Sequence, residues 1–193
     1  MQNTLKNLAT AFIGESQARN RYTIYAKIAK KEGYEQMSEI FMQTAEQELE
    51  HAKWLMRLIN ELEEKIGIKQ EIKVNAEVPA NIGKTAENLK AAIDGEHYEH
   101  SEMYPNFTAE AEAEGLPEIA SRLKAIARAE AHHEERYKKL LSQLETGSVF
   151  KKDSETAWVC RKCGYEYSGP EAPPKCPACG HPQSYYQVKC ENY

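Results

Sequence analysis

The chain has 193 residues, 25 Lys and Arg against 30 Asp and Glu, a formal net charge of -5, and 41% hydrophobic against 28% charged residues. It is long enough for one domain of ordinary size and a small appendage, too apolar for disorder, and lacks the run of ~20 apolar residues needed to cross a bilayer. The mild acidity, with Lys and Arg interspersed among acids, argues against a nucleic-acid partner, and the first ten residues show no signal pattern, so a cytoplasmic protein with reduced thiols is expected.

The two ends of the chain differ in chemistry. All five cysteines lie between Cys160 and Cys190 and five of the eight prolines from Pro170 onward, whereas residues 1–150 hold five of the six histidines. Residues 151–193 carry six basic and five acidic side chains, which leaves a net -6 for the residues before them. Two domains are expected, a helical one over residues 1–147 and a cysteine-rich one over 148–193.

Residues 1–150 are rich in Ala, Leu, Glu and Lys, and breaks fall at Gly33, between Gly67 and Gly83, at Gly115-Leu116-Pro117 and at Gly147, which predicts four helices. Stepping by three and four residues gives the face each helix should turn to the core. In the first helix this stripe is Leu5, Leu8, Phe12, Glu15, Arg19, Tyr22, Ala26 and Ala29, and in the second it runs from Phe41 through Ala45, Glu48, Ala52 and Leu55 to Ile66. The third has Leu89, Ala92, Glu96, Glu99 and Met103, and the fourth runs from Leu116 through Ile126, Glu130, His133 and Tyr137 to Leu144. Each stripe is apolar except near its middle, where carboxylates stand.

Ionised carboxylates in a core are costly and repel one another. Glu15, Glu48, Glu96, Glu99 and Glu130 therefore call for buried positive charge; Arg19 offers one at most, and bound cations answer the rest. Glu15 and Glu48 flank Gly33 at nearly equal separations, as Glu96 and Glu130 flank Gly115, so two antiparallel hairpins would bring all four to one height. Glu48-x-x-His51 and Glu130-x-x-His133 each place an oxygen and a nitrogen ligand on one helix face. One such pair on a charged helix is an ordinary solvated pair; two symmetric copies on core stripes match the di-iron and di-manganese carboxylate bundles. Neighbouring His97, His100 and His132 read as solvated or supporting residues.

The tail contains Cys160-Arg161-Lys162-Cys163-Gly164 and Cys176-Pro177-Ala178-Cys179-Gly180. Two C-x-x-C turns in a reducing compartment predict one tetrahedral four-thiolate site, for zinc or iron. Trp158, Tyr165, Tyr167, Tyr185 and Tyr186 offer this segment an aromatic core, while Cys190 and His181 read as bystanders.

Together the two parts resemble the rubrerythrin family, most specifically in Gly14-Glu15-Ser16-Gln17-Ala18-Arg19-Asn20-Arg21-Tyr22, Glu48-Leu49-Glu50-His51-Ala52, Gly95-Glu96-His97-Tyr98-Glu99 with Glu102-Met103-Tyr104-Pro105, and the cysteine turns. The resemblance implies a mainly α protein, a ferritin-like four-helix bundle followed by a small β-rich rubredoxin-like domain. It implies a non-haem di-iron centre and one iron bound by Cys160, Cys163, Cys176 and Cys179. The implied activity is reduction of hydrogen peroxide to water, with electrons from an NAD(P)H-linked reductase or a rubredoxin, in a cytoplasmic homodimer defending against oxidative stress.

By the same resemblance, Glu48 and Glu130 bridge the irons, Glu15 binds one iron with either His51 or Glu99, and Glu96 with His133 binds the other. Five carboxylates leave a net -1 against two ferrous ions and +1 against two ferric ions, so oxidation favours exchange of His51 for Glu99. Tyr22 and Tyr104 would hydrogen-bond ligating carboxylates or simply pack. The alternative is a ferroxidase or iron-storage protein with a zinc-ribbon-like tail.

Overall fold

The computed structural model describes residues 1–67 and 71–191; residues 68–70, in the expected break between Gly67 and Gly83, and 192–193, at the end of the tail, lie outside the described residues. The chain forms α1 (Gln2–Lys31), α2 (Glu35–Ile66), α3 (Thr85–Tyr98), a π-helical segment (Glu99–Met103), α4 (Tyr104–Ala113) and α5 (Pro117–Glu145). No described helix is long and apolar enough to cross a membrane.

Helix α2 shows why these segments pair. Phe41, Ala45, Glu48, Ala52, Leu55, Leu58 and Leu62 recur at steps of three and four and are all buried, so one face is committed to the bundle interior. Helix α1 packs mainly on α2, and α3 with α4 on α5. The turn closing each hairpin is the same device: at Gly33 (φ +85°) and Gly115 (φ +74°) the backbone turns left-handed. Gly33 and Tyr34 amides donate to the Lys30 and Ala29 carbonyls, and Gly115 and Leu116 amides to those of Glu112 and Ala111. These bonds satisfy the otherwise orphaned carbonyls at the helix ends.

The bundle core is split into two apolar plugs. One holds Leu5, Leu8, Leu55, Leu58, Met103, Leu123 and Ile126, the other Tyr22, Tyr25, Phe41, Leu89, Tyr137 and Leu140. On α1, α2 and α5, and along α3 with the π segment, the metal-type residues fall between the two, so apolar packing closes the polar layer from both ends.

Two expectations for the bundle need correction. Arg19 is only half-buried, with its Nε out of solvent, and its neighbour Ala18 is fully buried, so the core face at this turn lies between the two. The third helix is not continuous: the Tyr104 amide donates to the Glu99 carbonyl, five residues back, which inserts one extra residue into the turn. An unbroken α-helix would carry the stripe on to Asn106 and Glu110. Instead Met103 and Tyr104 are both buried and the stripe resumes at Thr108 and Ala111. Pro105, which has no amide hydrogen to give the Ser101 carbonyl, is the sequence signal for it.

The tail forms a three-stranded antiparallel sheet of β1 (Lys151–Cys160), β2 (Glu166–Glu171) and β3 (Tyr186–Val188), in the order β2-β1-β3. Its small core is Trp158, Cys160, Ala172, Cys176 and Tyr186, and the Trp158 indole donates to the Gly169 carbonyl at 2.9 Å. Tyr165 and Tyr167, expected in that core, are exposed instead; the sheet buries one thin layer, which Trp158 and Tyr186 already fill. Phe150 stacks on Tyr34 with ring centroids 6.4 Å apart, Arg161 pairs with Glu39, and Ser184 packs on Gly33.

Because the left-handed backbone at each hairpin suits only glycine, Gly33→Ala and Gly115→Ala should each cost about 1 kcal/mol of stability. Urea denaturation of the metal-loaded protein reads this as a lowered midpoint with unchanged slope.

Candidate metal centres

Four helices each deliver carboxylate to the polar layer, and α2 and α5 add an imidazole three residues on. Two ligand sets result, Glu15, Glu48, His51 and Glu130, and Glu48, Glu96, Glu130 and His133, each with its ligand atoms within 4.8 Å of one another. Glu48 and Glu130 belong to both. Glu15, Glu48, Glu96 and Glu130 are fully buried, and Glu99 nearly so.

Histidine alone does not neutralise this layer. His133 Nδ1 lies 2.8 Å from Glu130 Oε2, 3.2 Å from Glu48 Oε1 and 3.5 Å from Glu96 Oε2, yet it is aligned for a hydrogen bond with none of them. Glu15 Oε2, Glu48 Oε1, Glu96 Oε2, Glu99 Oε2 and both Glu130 oxygens are likewise buried without a hydrogen-bond partner. On the other side, His51 Nδ1 lies 3.0 Å from Glu48 Oε2, 2.9 Å from Glu130 Oε1 and 3.8 Å from Glu15 Oε2. Lone pairs converging on a closed space, without protons aligned between them, are what metal ions require. The carboxylate and histidine cluster therefore fits a di-iron centre, the oxygen-rich donor set suiting iron or manganese.

Glu99 stands outside both sets. It is buried on the π segment, against α1 where Gly14 has no side chain; a Cβ on Gly14 would lie 3.9 Å from Glu99 Oε1. Both tyrosines reach the cage: the Tyr22 hydroxyl donates to Glu96 Oε1 at 2.5 Å, and the Tyr104 hydroxyl donates to Glu15 Oε1. The π segment brings Tyr104 into that position.

Burial sets the electrostatics. It pushes the Glu15 and Glu99 carboxyls well above the carboxylate range, reinforced by Glu130 for the first and by Glu15 for the second, and lifts Glu96 to about 8. Burial also opposes ionisation of Glu48, but the adjacent imidazoles of His133 and His51 bring it down to about 2. His133 loses by burial and gains more from Glu130, Glu48 and Glu96, reaching about 12. Without metal, protons take the place of cations in this layer.

The four cysteines meet in the small domain. Cys160 Sγ lies 3.8 Å from Cys179 Sγ, and Cys163 Sγ lies 3.7 Å from Cys176 Sγ. These match the ~3.8 Å edge of a tetrahedron with metal–sulfur bonds of about 2.3 Å, and far exceed a disulfide bond of about 2.05 Å. The turns are copies: Gly164 and Gly180, with φ of +76° and +74°, donate their amides to the Cys160 and Cys176 carbonyls. Cys190 is exposed and outside the cluster. The His181 carbonyl accepts the Cys176 amide, a supporting role the sequence does not reveal. A third grouping, His97, His100 and Glu134, was also not apparent, because Glu134 falls beside the stripe of its helix.

Fold and sites define a class: a bundle of ferritin-like architecture whose carboxylate and histidine cluster fits a di-iron centre, joined to a rubredoxin-like four-thiolate domain. Residues 6–141 match the family model for rubrerythrin, and residues 158–187 that for the rubrerythrin rubredoxin-like domain. The chain is 64% identical to a putative rubrerythrin of Methanocaldococcus jannaschii, covering 100% of this chain and 96% of that protein. It is 51% identical to rubrerythrin of Porphyromonas gingivalis, over 98% of this chain and 92% of the relative. The solved structure of fully reduced, all-ferrous nigerythrin is similar, with a TM-score of 0.63 and 33% identity over 96% of this chain and 86% of that one. The chain belongs to the rubrerythrin family.

The protonated layer makes the metal-free protein pH-sensitive. Glu96 holds its proton to about 8 and His133 to about 12, so the folded state binds more protons than the unfolded chain and stability declines as pH rises above the unfolded values of about 4.5 and 6.5. The depressed Glu48 acts oppositely, but only below its unfolded value. Thermal melts of chelator-stripped protein should therefore give a midpoint that falls from pH 5 to pH 8, with a much flatter profile once metal is restored.

Proposed function

We propose that the protein is a cytoplasmic peroxidase that reduces hydrogen peroxide to water, with electrons passed through the four-cysteine iron from an external NAD(P)H-linked reductase or a rubredoxin. The observation that carries this reading is the pair of ligand sets sharing Glu48 and Glu130, with a fifth buried carboxylate, Glu99, beside them. In this reading Glu48 and Glu130 would be shared by the two ions, Glu15 and His51 would hold one, and Glu96 and His133 the other.

Two ferrous ions held there supply the two electrons for H2O2 + 2 e⁻ + 2 H⁺ → 2 H2O. The chain's own residues do the rest. Glu99, not engaged by either set, would offer an oxygen ligand in place of His51 to a ferric pair, which favours oxygen donors. Tyr22 and Tyr104 hold Glu96 and Glu15 by hydrogen bonds and fix the orientation of those carboxylates. Their own hydroxyls stay protonated, burial and adjacent carboxylates raising their pKa values well above the usual range. The two apolar plugs restrict water.

In this reading the protein works as a homodimer. Within one chain the small domain stands at the Gly33 end of the bundle, and Arg161, beside Cys160, pairs with Glu39 of α2, nine residues or roughly 14 Å along the helix from Glu48 at ~1.5 Å per residue.

Iron-loaded protein should be red from the ferric tetrathiolate, bleach with dithionite and contain about three irons per chain. With NADH and an added rubredoxin reductase, it should consume peroxide catalytically. Glu130→Ala should abolish that turnover and keep the red colour, whereas Cys176→Ser should lose the colour. Normal turnover by Glu130→Ala would refute the di-iron assignment, and iron retention without peroxide turnover would point to a ferroxidase or storage protein instead.

A further inference from the structure

Outside the di-iron cage and the four cysteines, a third set of ligating side chains converges on the surface where the π segment meets α5. His97 Nδ1 lies 3.0 Å from Glu134 Oε1, and His100 Nε2 lies 2.9 Å from Glu134 Oε2. The two imidazole rings stand nearly perpendicular, with centroids 5.3 Å apart. Glu134 is a buried carboxylate, while His97 is open to solvent.

The chain arranges this deliberately in local terms. His97 and His100 are three residues apart, on one helix face, with His97 closing α3 and His100 within the π segment. Glu134 directly follows His133 on α5, so it faces the helix opposite instead of the cage. Lys138 Nζ also pairs with Glu134 Oε1, at 2.7 Å.

We propose that His97, His100 and Glu134 form a surface site for one divalent transition-metal ion, zinc or ferrous iron. Two imidazoles and one carboxylate are the donor set of open zinc sites and of mononuclear ferrous sites, leaving further positions to water. One ligand atom from each residue already lies within 4.8 Å of the others. Tetrahedral coordination at about 2.0 Å needs about 3.3 Å between ligands, a closure that rotation of the exposed His97 ring supplies. Glu134 is buried, His100 half-buried and His97 exposed, so an ion can enter from solvent past His97 without opening the bundle. The Lys138 ammonium competes with the ion for Glu134 and limits its affinity.

Calorimetric titration of tag-free, iron-loaded protein with zinc chloride tests this. One further zinc should bind per chain, with iron content and visible spectrum unchanged. His100→Ala and Glu134→Gln should each weaken that binding at least tenfold, and Lys138→Met, at an exposed position, should tighten it several-fold. No additional zinc, zinc uptake matched by iron release, wild-type affinity in His100→Ala or Glu134→Gln, or unchanged affinity in Lys138→Met would overturn the assignment. Peroxide turnover is not the readout, so such a failure leaves the di-iron reading untouched.

Discussion

The mutual repulsion of carboxylates in an apolar interior governs this structure. Glu15, Glu48, Glu96, Glu99 and Glu130 are all buried, and no bundle assembled from them alone would hold together at neutral pH with every group ionised. Positive charge must enter the layer, as protons or as metal. The imidazoles of His51 and His133 moderate the repulsion without cancelling it, and several carboxylate oxygens face inward without a hydrogen-bond partner. Apolar residues then gather above and below, and their burial offsets the cost of holding the layer together.

Much of this was legible in the chain before folding. The stripes of α2 and α5 are strongly periodic, and the residues interrupting them, Glu48 with His51 and Glu130 with His133, are the ones that converge. Hairpin symmetry about Gly33 and Gly115 aligned their heights, since a helix converts residue count directly into distance. The paired cysteine turns were equally plain, because the knuckle is local and needs only a short segment to form.

What escaped reading came from couplings between helices or from departures from ideal geometry. A periodic count assumes one helical repeat throughout, so the π segment, and the burial of both Met103 and Tyr104 that follows from it, were invisible to the stripe. Arg19 only borders the core: Ala18 beside it is buried, and Arg19 keeps its Nε out of solvent while the residue is half-exposed. The pairing of Glu134 with His97 and His100 depends on the lateral placement of α5 against α3, which no single-helix pattern encodes. Tyr165 and Tyr167 show a different failure, since aromatic content signals a core without saying how many rings a thin sheet can cover.

Gly14 gives the bundle a mechanical property. Helices usually fill such a position with a side chain, and glycine there forfeits roughly 0.5–1 kcal/mol of helix stability relative to alanine. The missing side chain leaves a notch in α1 facing Glu99. A methyl there would touch the carboxylate at 3.9 Å and a larger side chain would crowd it; the bare backbone leaves that space open. The helix thus gives up rigidity at the one place where its neighbour carries the carboxylate that neither ligand set engages.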